Sequence, residues 1–244
     1  MKLFTSKIDN FLVSARYGLR IVAAARNIRG KMDLCAYLMA NMWHHVCGTS
    51  HFSQDEMLVH FKDISMIFRK FSSELTPFQE VYLDRVYDFI PAGVPSPGQT
   101  VFDVGANIGE YAIRQSFRVG KEGHVFAFEP NPDAYSRLLR NIELNKLENI
   151  ITFPAAVSSL SGKVFFNRDK RSTLAGRIVD TSALSDPSSE IISTDAVSLD
   201  NIVKSRHITR IDVLKIDVEG AELQVVEGAR KHALPITRNV ILEY

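Results

Sequence analysis

The sequence has few cysteines, no long apolar run and almost no excess charge, and each deficit excludes a class of protein. Only Cys35 and Cys47 occur among 244 residues, which excludes a disulfide framework and fits a reducing compartment. No run reaches the roughly 18 apolar residues that a membrane-spanning helix needs. A net charge of +1 gives no field to attract nucleic acid. We therefore expect a cytoplasmic protein without a nucleic-acid partner.

What the sequence does contain is a strand that breaks on glycines before a helix. Residues Thr100 to Tyr111 read T-V-F-D-V-G-A-N-I-G-E-Y. Such a turn brings backbone N–H groups and the positive end of a helix to one point, where α/β sheets bind ligands. The dinucleotide pattern G-x-G-x-x-G lacks its middle glycine here, and the P-loop pattern G-K-[ST] is absent. D-x-G-x-N-x-G, the cofactor loop of class I methyltransferases, matches fully, and an ordinary glycine turn is the alternative.

Two later stretches also end an apolar strand at residues that could bind a ligand, and in both the residue after the strand is acidic. His124 to Pro132 reads H-V-F-A-F-E-P-N-P, so Glu129 ends a short apolar strand. It follows Gly109 by about 20 residues, the usual distance to an acid that binds ribose hydroxyls. Ile211 to Glu222 reads I-D-V-L-K-I-D-V-E-G-A-E, again a strand followed by acids, a glycine and a helix.

Together with the later A-A-V-S, these stretches closely resemble the FkbM family. That family comprises class I methyltransferases that use S-adenosylmethionine (SAM) and mostly methylate hydroxyl oxygens. The resemblance covers about Glu74 to Tyr244, with every motif in order. It implies an α/β fold, a Rossmann-like doubly wound sheet preceded by a helical N-terminal extension.

The resemblance also assigns cofactor-binding residues. Gly105, Asn107 and Gly109 would shape the loop around the methionine part of SAM. Asp103 would fix that part through its ammonium group or a water, and Glu129 would take the ribose hydroxyls. The full set is Asp103, Gly105, Ala106, Asn107, Gly109, Glu129, Pro130, Asn131, Ala155, Ala156 and Asp217.

Asp217 and Glu219 are the candidate catalytic residues. One residue separates them, so in an extended segment they share a face at the rim where an acceptor arrives. One could be the general base, or both could hold a divalent cation, which the sequence does not support further. We predict no metal site elsewhere. His44, His45, Cys47 and His51 are metal-ligand types, but they lack the paired spacing of a zinc site.

The acceptor is expected to be a hydroxyl of a saccharide, a glycolipid or a secondary metabolite, because the family methylates such compounds. Two other function classes stay open. A nicotinamide dehydrogenase is disfavoured by the missing middle glycine. A non-catalytic SAM-binding or membrane-associated partner module would keep the loop and the acids without turnover.

The chain is predicted to have three parts, residues 1–73, 74–98 and 99–244. The first is a helical extension, with Gly30 ending one helix, Asp33 capping a second over Leu34 to His45, and S-x-x-E at Ser53 opening a third. The second part is a cover helix that starts at Thr76, ends near Ile90 and leads into a linker. The segment from Phe61 to Lys70 is ambiguous between helix and strand.

Residues 1–31 carry seven basic side chains and one acidic side chain, with an apolar helical face opposite most of the charge. They lack the basic-then-apolar order of a signal peptide. The helix could pack on the rest of the protein with its basic face in water. Alternatively, it could lie on an anionic membrane surface.

The third part is the methyltransferase domain. A strand over Ile150 to Val157, an extra strand over Gly162 to Asn167 and a Ser-rich loop over Ser172 to Ser189 are predicted. This loop is the first candidate for acceptor recognition. The family normally has two more strands after the last one here, so we expect either a truncated sequence or another element that covers this edge.

Overall fold

The structure is a computed structural model that describes residues 18–47, 55–70, 72–159, 161–169, 172–179 and 189–243. The chain divides into two compact units, Met1–Asp84 and Arg85–Tyr244. No helix within these ranges combines the length and the apolar character that crossing a bilayer demands. The division into 1–73, 74–98 and 99–244 remains a prediction.

The first unit contains a β-hairpin as well as helices, so the extension predicted as helical is only partly so, and the ambiguous segment from Phe61 to Lys70 contains the second strand of the hairpin. Strands β1 and β2 pair in antiparallel register, with Leu58 opposite Ile67. Alternate residues of β1 are buried, a period of two that favours a strand over a helix. The elements are α1 (residues 18–24), α2 (Ile28–Cys47), β1 (Glu56–His60), β2 (Ser65–Arg69), α3 (Leu75–Phe78) and a π-helix (Gln79–Asp84).

Several predicted helix boundaries in this unit are wrong. Gly30 and Asp33 lie inside α2, and Asp33 accepts a hydrogen bond from Lys70 Nζ at 2.9 Å instead of capping a helix. The capping-box helix predicted from Ser53 is strand β1 at Glu56, and Ser53 itself lies outside the described residues. Thr76 lies inside α3, and the helical path ends at Asp84 before Arg85, which has a positive φ of 58°.

Apolar and aromatic side chains hold this unit together. Phe61 stacks on Phe78 with ring centroids 4.3 Å apart, and Phe68 meets Phe78 edge-on at 5.4 Å. Tyr82 stacks on the same Phe78 ring at 4.7 Å. Phe78 therefore links the hairpin to the helical segment that follows it.

The second unit is built on a five-stranded parallel sheet in the order β11-β10-β3-β4-β5. Strand β3 lies at its centre, and all six residues of β10 are buried, as expected when both faces of a parallel sheet are covered. The main elements are β3 (Thr100–Val104), α4 (Glu110–Val119), β4 (His124–Phe128), α5 (Pro132–Leu144), β5 (Ile150–Phe153), α6 (Leu199–Ser205), β10 (Ile211–Ile216), α7 (Glu222–Ala229) and β11 (Thr237–Leu242).

Two helices that flank this sheet, α4 and α5, are bounded by residues that the sequence predicted as caps. Gly109 stands at the N-cap of α4 with a φ of 99°, and Gly120 at its C-cap. Asn131 caps α5 by accepting a hydrogen bond from Asp133 N at 3.0 Å. The α/β fold with a parallel central sheet is therefore confirmed.

A second sheet corrects two predictions. The single strand expected over Ile150 to Val157 breaks at the exposed Pro154, and its second half joins a four-stranded sheet in the order β6-β9-β7-β8. The loop expected over Ser172 to Ser189 begins as strand β8, which pairs antiparallel with β7, while residues 180–188 lie outside the described residues. The strands are β6 (Ala155–Val157), β7 (Gly162–Asp169), β8 (Ser172–Val179) and β9 (Ser189–Val197).

Candidate functional site

The loop after β3 is a tight turn fixed to the neighbouring strand. Gly105 and Asn107 have φ values of 85° and 48°, a region that glycine and asparagine enter at least cost. The backbone N–H groups of Gly105 and Ala106 donate to Phe128 O at 3.0 and 2.9 Å. The loop thus stays at the carboxyl edge of the sheet, beside the first turn of α4.

Glu129 ties this loop to the next helix. Its two carboxylate oxygens accept hydrogen bonds from Asn107 N at 2.8 Å and from Asn131 N at 2.7 Å. Burial raises the pKa of Glu129 to about 7, even though both backbone hydrogen bonds favour the ionised form. Its proton occupancy therefore changes near neutral pH.

Asp217 and Glu219 follow β10 on the same edge. Asp217 N donates to Val104 O at 3.0 Å, which holds the segment against β3. Glu219 has a φ of 53°, so the chain turns sharply before α7. Burial raises the pKa of Glu219, and the charges of Asp217 and Glu222 raise it further. Glu222 accepts a hydrogen bond from Gly220 N at 2.8 Å, which fits a structural role at the start of α7.

A cavity at this edge brings most of the predicted residues together. Its empty space, including the part open to solvent, is about 640 Å³. The predicted residues that line it are Gly105, Asn107, Glu129, Pro130, Ala155, Ala156, Asp217 and Glu219. Asp103, Ala106, Gly109 and Asn131 are not among the residues that line it.

The cavity also has an apolar wall that sequence reasoning missed. Phe166 and Ile178 stand opposite each other on β7 and β8, and Gly176 leaves room for the Phe166 ring. These positions had been assigned to an extra strand and a loop, and no motif marks them. The missed lining residues are Val104, Phe128, Val157, Phe166, Gly176, Ile178, Val218 and Ala221.

Asp103 faces the interior of the sheet and not the cavity. Its side chain is fully buried, with Lys215 Nζ 3.4 Å from Oδ1. Burial raises the pKa of Asp103 to about 6, although the Lys215 charge acts in the opposite direction. This geometry therefore does not support direct contact between Asp103 and a cofactor.

Lys215 is a buried cation that sequence reasoning did not single out. It is 4% exposed, and its ammonium lies 3.1 Å from Asp217 Oδ2 and 3.3 Å from Gly105 O. Burial acts to lower its pKa, but the charges of Asp103 and Asp217 outweigh burial and raise the pKa well above its ordinary value. The lysine within the apolar run I-D-V-L-K-I was the available signal, because buried lysines are normally paired.

Metal-ligand types do not converge in the described ranges, where no group of three or more His, Cys, Asp or Glu side chains could hold a metal ion. The side chains of His44, His45 and Cys47, and all of His51, lie outside those ranges.

Comparisons with known proteins agree with the motifs. The model of the methyltransferase FkbM domain matches residues 103–244. The hexuronic acid methyltransferase AglP of Haloferax volcanii is 36% identical over 143 residues, which are 59% of this chain and 54% of AglP. The 31-O-demethyl-FK506 methyltransferase FkbM of Streptomyces tacrolimicus is 29% identical over 193 residues, 68% of this chain and 72% of that protein.

A solved structure is also similar. The crystal structure of methyltransferase FkbM from Methylobacillus flagellatus matches with a TM-score of 0.40 and 13% identity, over 91% of this chain and 46% of that one. The chain thus spans about half the length of AglP and of this crystal structure. The family model covers more than half of the chain, and the chain belongs to the FkbM family of methyltransferases.

Proposed function

We propose that this chain transfers the methyl group of SAM to a hydroxyl oxygen of a saccharide, a glycolipid or a secondary metabolite. The observation that carries this proposal is a cavity lined together by the glycine turn, by Glu129 and by the two carboxylates Asp217 and Glu219. The relatives named hexuronic acid methyltransferase and 31-O-demethyl-FK506 methyltransferase support this acceptor class.

The residues of the cavity fit SAM. Asn107 Oδ1 is buried and accepts no hydrogen bond from the described residues, so it is available to an ammonium group. Each oxygen of Glu129 takes one backbone hydrogen bond and keeps capacity for a hydroxyl donor. Ala155 and Ala156 add little bulk beside Pro130, which leaves space for a flat base. When bound, SAM supplies an electrophilic methyl group on a sulfonium.

The predicted residues that do not line the cavity hold its walls in place. Ala106 and Asn131 place backbone N–H groups on Phe128 O and on Glu129, and Gly109 starts α4. We assign Asp103 to the Lys215 ion pair rather than to the methionine part of SAM. These residues would fix the loop that binds SAM. A fixed loop holds the methyl group at attack distance from the acceptor, and such positioning raises the reaction rate.

Asp217 and Glu219 would act on the acceptor. A carboxylate at hydrogen-bond distance from the hydroxyl can orient it and receive its proton. The raised pKa of Glu219 makes its carboxylate a stronger hydrogen-bond acceptor for that hydroxyl than an ordinary glutamate. Holding a divalent cation is a second use of the same carboxylates and remains a prediction, which a chelator added to the assay below would test.

Turnover is the test of this proposal. We expect S-adenosylhomocysteine (SAH) and a methylated product when the chain is incubated with SAM and a panel of hexuronic acids, neutral sugars, glycolipids and macrolides. Glu219→Gln should lower turnover roughly 100-fold while SAM affinity stays unchanged, and Glu122→Gln, on an exposed loop, should change neither. SAM binding without turnover on any acceptor would favour the non-catalytic binding module.

We also propose that residues 1–31 contact an anionic membrane surface. Residues 1–17 lie outside the described ranges, but Arg26, Arg29 and Lys31 are exposed beside Ile28 and Met32, which are 79% and 67% exposed. Arg26 lies in the break before α2 and the other four lie in the first turns of α2, and exposed basic and apolar side chains of this kind suit a lipid interface. In the same segment, Ile21 is buried and Arg20 pairs with Asp84, which favours packing there.

Vesicle sedimentation tests this contact. We expect the chain to sediment with vesicles of phosphatidylserine and phosphatidylcholine but not with phosphatidylcholine alone, and to be released by salt. Changing Arg26, Arg29 and Lys31 to glutamate should abolish sedimentation, since each base near the surface contributes about 1 kcal/mol. Equal sedimentation of this variant would contradict the contact.

A further inference from the structure

The carboxyl edge of the sheet carries a second acid beside Asp217. Glu243 follows β11, and its backbone N–H donates to Ile216 O at 3.0 Å, which fixes it next to the end of β10. Asp217 and Glu243 directly follow the paired residues Ile216 and Leu242, so they are neighbours across β10 and β11, and the charge of Asp217 raises the pKa of Glu243. Two neighbouring carboxyl groups can form a hydrogen bond with each other only when one of them carries a proton.

Each of the two acids also has a hydrogen-bond donor of its own. Lys215 Nζ donates a hydrogen bond to Asp217 Oδ2 at 3.1 Å. Tyr87 Oη donates to Glu243 Oε2 at 3.0 Å, across 156 positions of sequence. The Tyr87 ring packs edge-on against Tyr111, with centroids 4.8 Å apart, which holds the phenol in place.

The two acids also differ in exposure. Asp217 lines the cavity, whereas Glu243 is exposed and does not line it. The charged and titratable groups that face the pair are Asp103 from β3, Lys215 from β10, Glu219 from the turn before α7, Tyr111 from α4 and Tyr87 from the 3-10 helix Val86–Asp88. Lys215 is the single cation among them.

We propose that Asp217 and Glu243 share one proton and that this pair carries the proton of the acceptor hydroxyl from the cavity to solvent. This inference rests on the proposed function. The acceptor oxygen bonds the methyl carbon, the carbon–sulfur bond breaks with its electron pair left on sulfur, and the O–H proton passes to Asp217. As Asp217 takes this proton, Glu243 gives up the shared proton to water, so the pair again holds one proton. Asp217 receives the proton and Glu219 orients the acceptor hydroxyl, so both are catalytic residues, and Glu243 and Tyr87 are positioning residues.

The pair is tested by carbon-13 NMR titration of the carboxyl groups in the full chain. Burial, followed by the charge of Asp217, raises the pKa of Glu243 to about 6, so it should titrate well above exposed glutamates. Tyr87→Phe removes a donor to the carboxylate and should move this titration to higher pH. Asp217→Asn removes the neighbouring negative charge and should move it to lower pH. Each shift should be about half a pH unit or more.

Glu122→Gln is the matched control, because it removes an exposed carboxylate far along the chain, and it should leave the Glu243 titration in place. Opposite shifts in Tyr87→Phe and Asp217→Asn support the pair. A Glu243 that titrates as an exposed glutamate, or that responds to neither variant, overturns it.

The role in proton transfer is read from the pH dependence of SAH formation, with any acceptor that is turned over. The acidic limb should move to higher pH in Tyr87→Phe, and an unmoved limb in an active Tyr87→Phe enzyme overturns the role. If the proposed function fails, no acceptor is turned over although the NMR shifts are present. The two failures are therefore distinguishable.

Discussion

Replacing Glu129 with glutamine is expected to weaken SAM binding about 100-fold or more. The carboxylate accepts one backbone hydrogen bond at each oxygen, from Asn107 N and from Asn131 N. A glutamine keeps one acceptor and turns an NH₂ group toward the other donor. Hydrogen bonds to a charged group are worth about 1.5–3 kcal/mol each, and the proposed ribose contacts are lost as well.

The same residue predicts how binding depends on pH. The pKa of Glu129 is about 7 in the free protein because the group is buried. Ribose hydroxyls donate hydrogen bonds, so they favour the ionised carboxylate, and the protonated form must lose its proton on binding. Affinity should therefore fall by up to about tenfold for each pH unit below pKa 7.

Calorimetry across this pH range separates Glu129 from the ionisation of SAM itself. The Glu129→Gln variant has no carboxyl proton to lose, so its weaker affinity should be flat by comparison, and Glu122→Gln should follow the wild type. Parallel pH profiles in the wild type and Glu129→Gln would show that Glu129 does not meet the ribose.

The second large effect is expected at Gly105. A Cβ built on Gly105 would lie 1.8 Å from the Asp217 carbonyl oxygen, and the residue has a φ of 85°. Neither backbone can move easily, because Gly105 N is bound to Phe128 O and Asp217 N to Val104 O. We expect Gly105→Ala to lower the free energy of unfolding by about 3–5 kcal/mol, which combines strain and overpacking.

Gly98→Ala is the matched control for this change. Gly98 has a similar φ of 79°, but a Cβ there would meet no atom of the described residues within 4 Å. It should cost only the conformational strain, about 1–2 kcal/mol. Urea unfolding gives the loss of unfolding free energy in each variant. The difference between the two losses measures the close approach of the loop to the segment that follows β10. Equal losses would mean that the close approach contributes nothing.

The sequence was sufficient to predict the central sheet because its strands are short apolar runs that end in glycines or acids. Strands β3, β4 and β10, and the caps Gly109 and Asn131, follow from local patterns. The first unit was harder, since β1 and β2 are short and S-x-x-E matched a helix start that the hairpin overrides.

The parts of the site that sequence reasoning missed come from distant segments. Strand β8 contains Ser, Thr, Ala and Gly, a composition typical of a loop, and only its pairing with β7 makes it a strand that places Ile178 on the cavity. Tyr87 and Glu243 stand 156 residues apart, and no motif connects them. Asp103 was assigned to the cofactor by its position in the loop motif, but its pairing with Lys215 depends on the register of β3 against β10.

Cofactor binding is the central claim, and calorimetric titration of the wild-type chain with SAM and then with SAH tests it most directly. We expect one binding site per chain, with micromolar dissociation constants for both compounds. The same titration with NAD should give no heat of binding. A folded chain that binds neither SAM nor SAH would contradict the account.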